Sequence, residues 1–140
     1  MGYTHYFEQK KSFTIPEWNN ITKATHAILA ALPVDMIAGP QGDGDPIISE
    51  TEIALNGSNE DDRSHETFSI TKKKNPEFNF CKTAQKEYDV AVVAILCIME
   101  HFAPGKLDIR SDGDHADWAD GLKLAKQIVP TATIPSQVRK

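Results

Sequence analysis

The sequence predicts an α+β domain of ferredoxin-like order, β-α-β-β-α-β: an antiparallel sheet with helices on one face, followed by a C-terminal helix. Three observations predict it. Short β-preferring segments, some alternating apolar and polar residues, are interleaved with segments whose apolar residues recur at helical spacing. Proline and glycine clusters fall between the two kinds of segment. The 140 residues, 40% apolar and 25% charged, have the size and composition of one globular domain. No repeat or linker divides the chain, so residues 1–130 form the expected domain and 131–140 a polar tail.

The first strand is expected over Tyr3–Glu8, which is rich in aromatic and β-preferring residues. Thr14-Ile15-Pro16-Glu17 then forms a capping box with proline in the first turn. Trp18, Ile21, Ala24, Ile28 and Leu32 follow at helical spacing until Pro33 ends the helix. The glycine- and proline-rich stretch Ala38–Pro46 reads as a loop. A second strand is expected from Ile48 to Leu55, with Thr51, Ile53 and Leu55 on one side and Glu52 and Ala54 on the other. Asn56-Gly57 and an acidic loop lead to a strand over Glu66–Thr71, and Phe78–Cys81 reads as a short extended piece.

Thr83 is placed to cap a helix over Ala84–Phe102, whose apolar centre indicates burial on all sides. A buried strand is the rival reading for Val90–Ile98. A last strand spans Lys106–Ser111, and Asp114 or Asp117 opens a final helix with Trp118, Leu122, Ala125 and Val129 on one face. The sheet face away from the helices is expected to be polar, carrying Glu52, Ala54, Thr67, Ser69, Thr71, Asp108 and Arg110.

The net charge of −5 leaves no basic footprint for nucleic acid, and Lys72-Lys73-Lys74 reads as a solvated loop. The start of the chain shows no secretory signal, and Cys81 and Cys97 suit a reducing compartment. The longest apolar run, Val90–Met99, is too short to span a bilayer. A soluble intracellular protein is expected, without cofactor.

Functional residues are sought where polar clusters meet strand ends. Gly39–Gly44 lacks the lysine and the glycine order of a phosphate loop. Asp108–Asp117 fails the calcium-loop pattern, because Ala119 falls where the closing glutamate belongs. His5, His65, Glu66 and Cys81 are zinc-type donors without short spacing, so no metal is expected. Cys81 could serve as a nucleophile, with Lys82 lowering its pKa, His5 or His65 as base and Glu66 as orienter. A half-buried, inert thiol is the alternative.

The start Met1-Gly2-Tyr3-Thr4-His5-Tyr6, Asn56-Gly57 with Glu66-Thr67-Phe68, Phe80-Cys81-Lys82-Thr83-Ala84 with Tyr88-Asp89, and Ser111-Asp112-Gly113-Asp114 with Trp118 together resemble a group of small bacteriophage and prophage proteins. Glu87 and Phe7 depart from that pattern, where proline and tryptophan are usual. The resemblance implies viral origin and action in the host bacterial cytoplasm; it assigns no catalytic residue.

The expectation that follows is a phage accessory protein against host defence, binding and sequestering a nucleotide-type signal, with no catalytic residue. Tyr3, Tyr6 and Tyr88 would stack on a base, and Lys82 and Arg110 would meet phosphate. Asn56, Thr67, Thr83 and Asp112 would read polar edges, with His5, Glu66 and Cys81 completing the pocket, at a strand edge or at a homo-oligomer interface. A small hydrolase or nucleotide-modifying enzyme using Cys81 or His5 with Glu66 is the second reading. An inhibitor that blocks a host defence protein is the third.

Overall fold

The computed structural model describes residues 2–77 and 79–140. Among them the elements run β1 (Thr4–Gln9), α1 (Ile15–Ala30), β2 (Ile37–Ala38), β3 (Ile47–Ile48), β4 (Glu52–Gly57), a 3-10 turn (Glu60–Asp62), β5 (Phe68–Thr71), β6 (Phe80–Lys82), α2 (Asp89–Phe102), β7 (Leu107–Ser111) and α3 (His115–Ile128). The architecture is α+β, and every strand pairing is antiparallel. One sheet has the order β6-β1-β7; in the other, β4 pairs with β2, β3 and β5. The Glu66 N–H donates to the Lys82 carbonyl at 3.2 Å and draws the two sheets together.

Helix α1 forms as its sequence predicts. The Thr14 hydroxyl accepts from the Glu17 N–H, the Glu17 carboxylate accepts from the Thr14 N–H, and Trp18, Ile21, Ala24 and Ile28 are buried. The Thr14 N–H first, and with it the Lys106 ammonium at 3.0 Å, hold the Glu17 carboxyl below its ordinary range. Helix α3 is opened the same way by Asp114 and Asp117. It buries Trp118, Gly121, Leu124 and Ala125, leaving Leu122 and Val129 of the expected stripe only partly covered.

The helix reading of Val90–Ile98 holds over the strand reading, and Ala91 to Met99 are all buried. The expected start at Ala84 is corrected. Ala84 and Gln85 have φ of 54° and 56°, the left-handed region, which stops a right-handed helix from propagating through them. The first turn begins at Asp89, and Thr83 spends its hydroxyl on the Asp89 carboxylate rather than on a helix cap.

The second strand is divided. Ser49 accepts from the Thr51 and Glu52 N–H groups, turning the chain between β3 and β4. β4 is then flanked by other strands, so Ala54 and Asn56 are buried along with Ile53 and Leu55, and Ala54 is not on an open face as expected. β6 spans Phe80–Lys82; the expected start, Phe78, lies outside the described residues. The expected tail is docked: Ala132 and Val138 are buried, the Arg139 carbonyl accepts from the His115 N–H, and its guanidinium donates to the Asp112 carbonyl at 2.6 Å.

Period-two alternation gives β1 two characters. His5, Phe7 and Gln9 are buried in the core, while Tyr6 and Glu8 are only partly covered. Directly paired residues share a face. His5 therefore shares the inner face with Cys81 and Ser111, and Tyr6 shares the outer face with Phe80 and Arg110. The outer face was expected to be polar; Tyr6 and the half-exposed Phe80 add aromatic residues to it.

Candidate functional site

The inner row of the first sheet meets the start of α2 in a buried polar network centred on His5, which is 0% exposed. His5 Nε2 lies 2.6 Å from Asp89 Oδ1 and Nδ1 lies 2.8 Å from Ser111 Oγ. Ser111 Oγ also accepts from the Trp118 indole N–H at 3.0 Å and the Gly113 N–H at 2.9 Å. Both lone pairs are then used, so the Ser111 proton goes to Nδ1 and the ring proton sits on Nε2, donating to Asp89. The Thr83 hydroxyl donates to the same Asp89 oxygen at 2.6 Å.

This arrangement contains a serine, a histidine and an aspartate, but the serine has no lone pair left with which to attack. The network positions; it does not present a nucleophile. The Tyr3 hydroxyl is buried beside it without a hydrogen-bond partner. Burial first, and then the Asp89 and Asp117 charges, push its pKa up. A Cβ on Gly113 would fall within 2.1 Å of that hydroxyl, so only glycine leaves room for Tyr3 here.

Glu66 and Lys82 clamp a second junction. The Lys82 N–H donates to the Glu66 carboxylate at 2.8 Å. The Glu66 carbonyl accepts from the Tyr88 hydroxyl at 2.6 Å and from the Cys81 thiol at 3.4 Å. Burial pushes the Cys81 thiol up to about 12, with the Tyr88 hydrogen bond opposing and the Glu66 and Asp89 charges adding to it. Lys82 sits on the opposite sheet face and does not lower it.

Neither cysteine is then expected to react with a thiol reagent in the native protein at pH 8; both Cys81 and Cys97, the latter also pushed up to about 12 by burial, label only on unfolding. Because the unfolded thiols release protons first, stability is expected to fall as pH rises from the ordinary thiol range toward 12. A urea titration at several alkaline pH values checks this, and rapid native labelling of Cys81 would contradict it.

The residues expected to form one pocket divide into three groups. Tyr3, His5, Cys81, Thr83 and Tyr88 are buried and hold the sheet to α2, so Tyr3 and Tyr88 cannot stack on a base as expected. Asn56 is 4% exposed. Its amide donates to the Pro40 and His65 carbonyls and its oxygen accepts from the Gly57 and His65 N–H groups. The Thr67 hydroxyl donates to the Pro40 carbonyl at 2.6 Å. Asn56 and Thr67 therefore anchor the Gly39–Pro46 loop rather than read a ligand. Tyr6, Lys82 and Arg110 lie on the outer face of the first sheet with Asp112 at its edge, where the Asp112 carboxylate accepts from the Thr4 N–H at 3.0 Å.

A hollow of about 660 Å³ lies elsewhere, lined by Ser12, Phe13, Glu50, Thr51, Thr71, Lys72, Lys73, Lys74 and Asn75. A neighbouring hollow of about 350 Å³ shares Glu50, Thr51 and Lys72 with it and adds Ile15, Trp18 and Asn19. Sequence reasoning passed over this site because Lys72-Lys73-Lys74 read as an isolated solvated loop. In the fold the Phe13 N–H donates to the Lys72 carbonyl, the Lys10 N–H to the Lys106 carbonyl, and the Lys74 N–H to Ser12 Oγ. Lys10, Lys11 and Lys106 thereby join the run, and six of the 15 basic residues gather at one end of the sheets.

Among the described residues no cluster of His, Cys, Asp and Glu is arranged to hold a metal ion. Among them, too, no helix is long and apolar enough to cross a membrane. No protein-family model, curated protein or solved structure matches the chain.

Proposed function

We propose that the protein binds and sequesters a small nucleotide-type anion, held in the hollow walled by Lys72, Lys73 and Lys74. The observation that carries this reading is the coincidence of a hollow of about 660 Å³ with the gathered lysines of an otherwise acidic chain. That volume lies within the roughly 300–1,000 Å³ of small-ligand sites. The lysine ammonium groups suit phosphate, and Glu50, Ser12 and Thr51 offer hydrogen bonds to sugar hydroxyls. The resemblance to phage proteins supports a host signalling nucleotide as the ligand, the bacterial cytoplasm as the place and defence evasion as the purpose. The β-α-β-β-α-β order underlies the fold in this reading, with β6 an added strand between β1 and the β4–β5 hairpin.

The test is equilibrium dialysis against a panel of mono- and dinucleotides, followed by heat release and mass analysis. A bound nucleotide is expected to come back intact. The triple variant Lys72→Glu, Lys73→Glu, Lys74→Glu should weaken binding more than about a hundredfold, since two charge-assisted hydrogen bonds contribute about 1.5–3 kcal/mol each. Recovery of a converted product would favour an enzyme instead. Nucleotides that stay free with protein in excess, or equal binding by the triple variant, would defeat the proposal.

A further inference from the structure

The outer face of the β6-β1-β7 sheet carries three cross-strand rows. Register places Lys82 beside Thr4 at one end, Phe80, Tyr6 and Arg110 in the middle, and Glu8 beside Asp108 at the other end. Asp112 extends the first row, its N–H donating to the Thr4 carbonyl at 2.9 Å. Phe80 is 53% exposed, a large aromatic surface on the β6 edge of the middle row. The face thus sets a row of aromatic and arginine side chains, types enriched at interfaces, between rows of opposite charge.

We infer that this face binds a second copy of the chain about a twofold axis running along β1. Such an axis exchanges the β6 edge with the β7 edge. Phe80 then faces the partner's Arg110, a cation–π pair made twice. Lys82 faces the partner's Asp112, an ion pair also made twice, and Tyr6 faces the partner's Tyr6 on the axis. Glu8 meets its own copy, but each Glu8 is already paired with Lys10 at 3.1 Å. The charge pattern is thus complementary to itself. Single-stranded nucleic acid, which an aromatic and arginine row could otherwise stack, is opposed by Glu8, Asp108 and Asp112 on the same face. Three short strands offer less than the roughly 800 Å² per partner of a standard interface, so the dimer dissociates on dilution.

Sedimentation velocity over a wide concentration range is expected to show a reversible monomer–dimer equilibrium. Lys82→Asp alone and Asp112→Lys alone should each weaken the dimer at least about tenfold, and the two together should restore it. Because Asp112 also holds the Thr4 N–H, Phe80→Ser and Arg110→Glu form a second arm, each weakening dimerisation with the thermal midpoint as a fold control. Tyr6→Cys should crosslink to itself with a short bis-maleimide, whereas the exposed control Glu87→Cys should not. A wild-type monomer at every concentration overturns the inference. So does a dimer indifferent to Phe80→Ser and Arg110→Glu, or a monomer that binds oligonucleotide in a Phe80-dependent way.

Discussion

His5→Ala is expected to lower the unfolding free energy by about 3–5 kcal/mol, combining a lost hydrogen bond to the Asp89 carboxylate, about 1.5–3 kcal/mol, with an unsatisfied Ser111 hydroxyl and the cavity left by a buried ring. The imidazole is 0% exposed and bridges β7 to the first turn of α2 through Ser111 and Asp89 at 2.8 and 2.6 Å. Removing it leaves the Ser111 proton without its acceptor and strips Asp89 of one of two buried donors, the other being Thr83. It also takes away a ring that packs edge-on against Tyr3 and Trp118, with centroids 5.2 and 5.3 Å away. Asp89→Asn, which keeps an oxygen to accept from both donors, should cost distinctly less. Urea unfolding of the two variants checks the order. A loss below about 1 kcal/mol for His5→Ala would mean that the network contributes little more than a surface pair.

Trp118→Ala carries the second largest expected loss, also about 3–5 kcal/mol, through the cavity left by a buried indole. Trp118 is 0% exposed and stands on α3 against the His5 ring. Trp118→Phe separates the two contributions. It keeps most of the apolar volume but removes the N–H that Ser111 accepts at 3.0 Å, with an expected cost of about 1–3 kcal/mol. Equal losses for the two substitutions would show that packing is immaterial and that the hydrogen bond alone holds α3 to the sheet. Small losses for both would show that the α3 end of the network is dispensable.

The legible parts of the chain were those decided by neighbours in sequence. The Thr14–Glu17 capping box, the Asp114–Asp117 box and the all-apolar centre of α2 all announce helices, because their hydrogen bonds and burial periods are local. The α2 start was misread because Thr83 looks like a cap and nothing in the residue types of Ala84 and Gln85 signals left-handed backbone. Strain of that kind, about 1–3 kcal/mol per residue, is imposed by the Tyr3 carbonyl, which accepts from both the Thr83 and the Ala84 N–H groups.

The candidate site was half legible. Tyr3, His5, Cys81, Thr83 and Ser111 do come together with Glu66 and Tyr88 close by, as clusters at strand ends suggested. Their burial turned groups expected to meet a ligand into groups that meet each other. The lysine-walled hollow was missed for the opposite reason. Lys72–Lys74, Lys10, Lys11 and Lys106 are far apart in the chain and become neighbours only where three strand ends converge.

The sequence by itself determined which stretches are helical and where two helices begin. Those follow from torsional preference and residue period, which act over a few positions. Which strands pair, and hence that His5 meets Asp89 across the core while the lysines collect around an open hollow, was decided by tertiary structure alone. Packing energy depends on contacts between residues distant in the chain, and no local pattern encodes those.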